Sequence, residues 1–140
     1  MSEPRATGRC LCGAVRYEVR GPMRDILVCH CVECRRWSGH LGAYSAAREE
    51  DVVVHDARSL RWIDSPESDR QARRGFCGEC GSGLFWRAAE GDRIHIAAGT
   101  LDLPTSLRVA GHVGAADASD WDEPRDGLPR EASSADLRWT

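Results

Sequence analysis

The sequence predicts a mainly β domain built from short antiparallel strands and from turns that bind zinc. Three observations favour this fold class. Apolar and polar residues alternate with a period of two in several short runs. Turn-forming residues separate these runs, and no convincing long amphipathic helix interrupts them. Two pairs of cysteines also stand beside glycines, at the spacing typical of zinc-binding turns.

The first predicted strand shows the clearest alternation. Val15, Tyr17 and Val19 are separated by charged residues, and a Gly-Pro pair ends the run. A short apolar run at residues 26–28 predicts a buried strand that leads into a group of three cysteines. The remaining predicted strands cover residues 41–47, 52–54, 60–63, 70–76, 84–86, 94–96 and 107–113.

Four cysteines form the first candidate metal site, and they are Cys10, Cys12, Cys77 and Cys80. Each pair lies beside a glycine that permits a tight turn, and four thiolates complete the tetrahedral shell of a structural zinc. Such a site would tie the first strand to the middle of the chain. The alternative is that one pair is a redox C-x-x-C motif and the other pair is incidental.

The other three cysteines are Cys29, Cys31 and Cys34, in the pattern C-x-C-x-x-C. We expect a tight loop that brings their sulfurs to one zinc ion, because thiolates this close cannot all share one face of a helix or strand. Three ligands leave one coordination position open, which is typical of a catalytic zinc. The alternative is a second structural zinc whose fourth ligand is His30 or His40.

Composition argues against nucleic acid and membrane partners. The net charge of −3 creates no overall basic field, and no apolar run is long enough to span a bilayer. The first residues lack the apolar core of a secretory signal. Together with seven clustered cysteines, these features lead us to expect a cytoplasmic protein whose thiols bind metal rather than form disulfides.

Composition also suggests how the 140 residues are divided. We expect a polar N-terminal tail at residues 1–7, a zinc-binding domain at residues 8–114 and a partly irregular acidic extension at residues 115–140. Trp121 and Trp139 are the aromatic residues that we expect to pin this extension to the domain.

All 19 basic residues are arginines, and Arg35 and Arg36 directly follow the three-cysteine group. Because a guanidinium can pair with a carboxylate through two parallel hydrogen bonds, these two side chains could hold an acidic thiol cosubstrate. Arg73 and Arg74, which precede the second cysteine pair, could do the same. The alternative for each arginine is solvated surface charge or pairing with a nearby glutamate.

Four segments, 8–13, 29–39, 74–86 and 99–102, contain all seven cysteines and carry a recognisable pattern. Together they resemble the family of glutathione-dependent formaldehyde-activating enzymes, also called the centromere-protein-V/GFA domain, over about residues 8–113. The resemblance implies an Mss4-like β fold, a structural zinc on the four-cysteine group and a second zinc on the three-cysteine group. It also implies the joining of glutathione to formaldehyde, which is classified in the reverse direction as a carbon–sulfur lyase reaction.

The function predicted from the sequence is the addition of a low-molecular-weight thiol to formaldehyde or a related small aldehyde. A zinc ion held by Cys29, Cys31 and Cys34 would lower the pKa of an entering thiol, whose sulfur would then attack the aldehyde carbon. Two alternatives remain open. One is a zinc-stabilised binding module with two structural ions, and the other is a redox protein that releases zinc when its thiols are oxidised.

Overall fold

Strands dominate the computed structural model, which describes residues 3–123 and 125–134. In chain order the strands of these ranges are β1 (Ala6–Arg9), β2 (Arg16–Val19), β3 (Arg24–Cys29), β4 (Gly42–Arg48), β5 (Val52–His55), β6 (Leu60–Asp64), β7 (Arg73–Cys77), β8 (Gly83–Arg87), β9 (Arg93–Ala97) and β10 (Val109–Val113). One α-helix, α1 (Val32–Ser38), follows β3. No helix in the described ranges has the length and apolar character required to cross a membrane. The predicted mainly β class is therefore confirmed.

The strands form two sheets. The smaller sheet has the order β1-β2-β5, and the larger has the order β10-β3-β4-β9-β8-β7-β6. Neighbouring strands run antiparallel, as expected, except at the edge where β10 lies parallel to β3. This pair departs from the antiparallel prediction because β10 returns to the sheet beside a strand from the start of the chain instead of pairing with β9.

The larger sheet separates two groups of buried side chains. One group contains residues of both sheets, such as Tyr17 of β2 and Ile96 of β9. The other lies on the opposite face of the larger sheet and contains Leu27, Cys29, Cys34, Tyr44 and Val113. Because successive strand residues point to opposite faces, β4 supplies Tyr44 to the second group and Ala47 to the first.

Each strand predicted from the sequence overlaps an observed strand, but one strand and the α-helix of the described residues were not predicted. Strand β1 lies partly in the region expected to be a loose tail, and it carries no apolar alternation because Gly8 is its one buried residue. Gly8 is required there, since a Cβ atom would lie 2.3 Å from the hydroxyl oxygen of Tyr17 on the paired strand. The second unpredicted element is helix α1.

Candidate functional site

The three-cysteine group lies where strand β3 passes into helix α1. Cys29 is the last residue of β3, Cys31 is the N-cap of α1, and Cys34 lies in the first helical turn. Their sulfur atoms all lie within 4.8 Å of one another. The expected convergence of the sulfurs is confirmed, but the expected loop is corrected to a strand, a cap and a helix. A cap residue and the residue three positions later share the first turn, which explains how the thiols meet.

Backbone and side-chain donors surround these sulfurs. The Cys34 amide donates a hydrogen bond to the Cys31 sulfur at 3.4 Å. Arg74 of β7, which is only 3% exposed, donates from Nη2 to the Cys34 sulfur at 3.5 Å. Its other guanidinium nitrogens donate to the hydroxyls of Ser65 at 3.0 Å and Tyr44 at 3.4 Å. A buried cation therefore faces the thiols directly.

The electrostatics of the group favour negative charge at Cys31. Hydrogen bonds from Cys29 and then from Cys34 lower the pKa of the Cys31 thiol to about 2, and the charge of Arg74 also acts in this direction. The hydrogen bond to Cys31 raises the pKa of Cys29. Burial opposes the charge on Arg74, but the Cys34 sulfur offsets this effect and the pKa of Arg74 is raised. The group is thus suited to bind a cation.

Neither histidine proposed as a fourth ligand points to the three sulfurs. The buried His30 lies with Nε2 2.9 Å from Nδ1 of His112 and with Nδ1 3.1 Å from a carboxylate oxygen of Asp122. His40 is exposed and stacks on Trp121, with ring centroids 5.3 Å apart. Within residues 3–123 and 125–134, no histidine, aspartate, glutamate or further cysteine joins the group.

A cavity of about 290 Å³ opens beside the three cysteines. Its floor is the face of the larger sheet opposite the main core. The lining includes aliphatic and aromatic residues of this sheet, three arginines and several acidic residues, namely Leu27, Tyr44, Trp86, His95, Arg24, Arg70, Arg74, Glu33, Glu67, Asp69 and Asp117. Arg24, Arg70, Tyr44 and His95 were not among the site residues predicted from the sequence. For His95, its place between the buried Ile94 and Ile96 was a usable signal, because alternation turns it to the opposite face.

Arg35 and Arg36, which were expected to hold an acidic cosubstrate, are not among the residues that line this cavity. Each step along a helix rotates the side-chain direction by about 100°, so the two residues after Cys34 point away from its sulfur. Arg36 is exposed, and Nε of Arg35 is buried without a hydrogen-bond partner in the described residues. Of the other pair, Arg74 reaches the cysteines, whereas Arg73 pairs with Asp64 on the surface.

The four-cysteine group lies on the other side of the larger sheet. Cys10 and Cys77 are buried in the main core, and the sulfurs of all four cysteines lie within 4.8 Å of one another. Amide groups donate to three of the sulfurs, from Val15 to Cys10, from Ala14 to Cys12 and from Glu79 to Cys77, at 3.3–3.4 Å. The hydroxyl of Ser82 lies 3.1 Å from the Cys80 sulfur, and its hydrogen bond lowers the pKa of Cys80 to about 5.

The spacing of these sulfurs fits a tetrahedral metal ion. The sulfur of Cys12 lies 3.7 Å from that of Cys10 and 3.8 Å from that of Cys77. A tetrahedral zinc with bonds of about 2.3 Å requires sulfur atoms about 3.8 Å apart. The two cysteine clusters can therefore hold metal, and a set of soft thiolate donors is compatible with zinc.

Comparisons with known proteins agree with this arrangement. The family model described as glutathione-dependent formaldehyde-activating enzyme matches residues 5–115. A crystal structure of a Rhodobacter sphaeroides protein shares the fold, with a TM-score of 0.57 and 23% identity over 89% of this chain and 98% of that chain. A search of curated proteins found no significant match. The family match spans most of the chain and includes all seven cysteines, so the chain belongs to the glutathione-dependent formaldehyde-activating enzyme (GFA) family.

Proposed function

We propose that this chain is a zinc-dependent enzyme that joins a low-molecular-weight thiol, such as glutathione, to formaldehyde or a related small aldehyde. The observation that carries the proposal is the group of three cysteines, without a fourth ligand in the described residues, beside a cavity. The family match supports the same chemistry. In the reverse direction the reaction is that of a carbon–sulfur lyase.

The two cysteine groups have different roles in this proposal. Cys10, Cys12, Cys77 and Cys80 hold a structural zinc, because four thiolates complete its shell. Cys29, Cys31 and Cys34 hold the catalytic zinc, which, when bound, would supply a position where an entering thiol loses its proton more readily. Seven free thiols in two metal-binding groups also suit the reducing cytoplasm, where we propose that the protein works.

The side chains around the cavity then have definable tasks. Arg74 and the Cys34 amide offset part of the negative charge on the cysteines. When the thiol sulfur attacks the aldehyde, a carbon–sulfur bond forms and the carbonyl oxygen takes up the proton lost by the thiol. We assign to Tyr44 the hydrogen bond to that oxygen, because it lines the cavity and burial raises its pKa to about 12, so that it keeps its proton.

Metal analysis and thiol titration of cobalt-substituted protein test the proposal. We expect two metal ions per chain and a change in the cobalt spectrum on addition of glutathione. Cys31→Ser should lose one metal ion, remain folded and lose both the spectral change and the reaction with formaldehyde. Arg36→Gln, at an exposed position of the same helix and outside the cavity, serves as the control and should behave as wild type.

Two results would contradict the proposal. Loss of both metal ions from Cys31→Ser would show that the two groups do not act separately. A cobalt spectrum that does not respond to thiols, with four protein ligands at the three-cysteine site, would instead favour a binding module with two structural ions.

A further inference from the structure

A stack of three side chains forms one wall of the cavity beside the cysteines. The guanidinium of Arg70 lies over the ring of Trp86, 5.3 Å from its centroid. Trp86 in turn meets His95 edge to face, with centroids 4.8 Å apart. All three residues line the same cavity as Cys29, Cys31 and Cys34. This arrangement holds a cation at a defined place in the cavity wall.

Arg70 has no acidic partner among the described residues. Exposed arginines of neighbouring segments do have one, as Arg73 does with Asp64 at 3.3 Å. Glu67 and Asp69 line the same cavity, yet no carboxylate of the described residues lies within 4 Å of the Arg70 guanidinium. Stacking occupies one face of a guanidinium and leaves the N–H groups at its edge available. Arg70 can therefore accept an anion from the cavity.

Trp86 connects Arg70 to the buried side chains beside the cysteine site. This ring packs against the buried group that contains Cys29 and Cys34, and Arg70 covers the ring. The guanidinium and the cysteines therefore face the same cavity of about 290 Å³. A thiol that reaches the cysteine site could also reach Arg70 if it carried a carboxylate several bonds from its sulfur.

We propose that Arg70 is the specificity-determining residue that binds a carboxylate of the thiol cosubstrate, with Trp86 and His95 holding its guanidinium in place. The inference rests on the proposed function and names residues other than Arg35 and Arg36 for this task. Burial, assisted by nearby arginines, lowers the pKa of His95 to about 3, so a neutral imidazole supports the stack and adds no charge that competes for the ligand.

The test compares glutathione with its diethyl ester, in which both carboxylates are masked, by titration calorimetry on the zinc-loaded protein. We expect the wild type to bind glutathione about tenfold more tightly than the ester, because a charge-assisted hydrogen bond is lost with the carboxylate. Arg70→Gln should bind the two compounds equally. Arg73→Gln, the matched control three residues away and outside the cavity, should keep the preference.

The inference is overturned if Arg70→Gln keeps the wild-type preference, or if the wild type has none. Binding of 2-mercaptoethanol, a thiol without a carboxylate, separates this outcome from failure of the proposed function. A cobalt spectrum that responds to 2-mercaptoethanol in both the wild type and Arg70→Gln leaves the proposed function intact whatever the ester comparison shows. If neither glutathione nor this neutral thiol produces a response in the wild type, the proposed function fails, and the inference that rests on it fails too.

Discussion

At the residue scale, Arg74 links strand β7 to the three-cysteine group through its hydrogen bond to the Cys34 sulfur. We predict that Arg74→Gln lowers the zinc affinity of this group by about 10–100-fold, as loss of a partner that hydrogen-bonds a metal ligand typically does. Competition with a chromophoric chelator measures the affinity. Arg36→Gln, at an exposed position of the helix, is the control, and equal affinities of the two variants would contradict the role of Arg74.

His95 is a second residue whose environment has a measurable consequence. Burial lowers its pKa to about 3, and Arg24, Arg70 and Arg93 lower it further in the same direction. In the unfolded chain a histidine takes up a proton near pH 6.5, so the unfolded state binds more protons below this pH and the folded protein loses stability. Between pH 7 and pH 5 this effect amounts to about 2 kcal/mol.

The variant His95→Phe keeps an aromatic ring beside Trp86 but has no imidazole to protonate. We therefore predict that, between pH 7 and pH 5, its free energy of unfolding decreases by about 2 kcal/mol less than that of the wild type. Urea unfolding at both pH values measures this difference. His40→Phe, at an exposed position where the new ring can still stack on Trp121, should follow the wild-type curve. Parallel curves for the wild type and His95→Phe would show that His95 is protonated in the folded protein.

At the scale of elements, the segment after β10 is attached to the domain by hydrogen bonds. The His112 amide donates to the carbonyl of Pro129, and the Glu131 amide donates to the carbonyl of His112, each at 2.8 Å. Nε2 of His112 lies 2.7 Å from a carboxylate oxygen of Asp126, and its Nδ1 lies 2.9 Å from Nε2 of His30. In the chain, His30 stands between two of the cysteines of the site. The predicted acidic extension thus contacts the cysteine site, and its Asp117 lines the cavity. Trp139 lies outside the described residues.

Gly114, where β10 leads into this segment, lies against the cysteine site. A Cβ atom at Gly114 would lie 3.0 Å from the backbone nitrogen of Cys31, and its φ angle is +63°. Gly127 has a similar φ of +71° but open space around it. We predict that Gly114→Ala loses metal from the three-cysteine group. In Gly127→Ala we expect only a decrease of about 1–2 kcal/mol in the free energy of unfolding, because alanine is strained in the left-handed backbone conformation.

Metal content and the free energy of unfolding of the two glycine variants measure this difference. Because the backbone strain is nearly the same at both positions, any excess effect at Gly114 reports the contact with Cys31. Equal losses of stability with full metal content in both variants would mean that the segment can shift away from the cysteines at little cost.

At the scale of the whole molecule, the larger sheet lies between the two cysteine groups, and each group belongs to a different buried cluster. Cys12 and Cys77 are 65 positions apart in the chain, so a metal ion bound to the four-cysteine group would join the turn after β1 to the end of β7. Structural zinc in small zinc-finger peptides contributes about 10–16 kcal/mol to folding. The four-cysteine group should therefore control global stability.

We predict that Cys77→Ser lowers the thermal unfolding midpoint far more than Cys31→Ser, or abolishes cooperative unfolding. The physical reason is that Cys77 is fully buried in the main core, where loss of metal removes a cross-link between distant segments. Calorimetry of both variants, with the metal content measured in parallel, makes the comparison. An equal decrease in the two midpoints would show that both groups stabilise the same cooperative unit.

The sequence alone determined every strand of the described residues except β1, and the division of the cysteines into two groups, because both depend on local patterns. Alternation marks a half-buried strand, and cysteines two or three positions apart beside a glycine mark a metal-binding turn, whatever surrounds them. Strand β1 and helix α1 escaped prediction for the same reason. Neither has a periodic apolar pattern, since β1 buries only Gly8 and α1 buries only Cys34.

Only the tertiary structure decided which charged residues surround the cysteines. Arg35 and Arg36 are adjacent to Cys34 in the chain, but the helix turns them away, whereas Arg70 and Arg74 reach the cavity from a distant loop and strand. Sequence proximity predicts which cysteines of one C-x-C or C-x-x-C motif can share a metal ion, because a single turn brings their sulfurs together. It does not predict which side chains from separate strands meet across a sheet, because strand order and register determine those contacts.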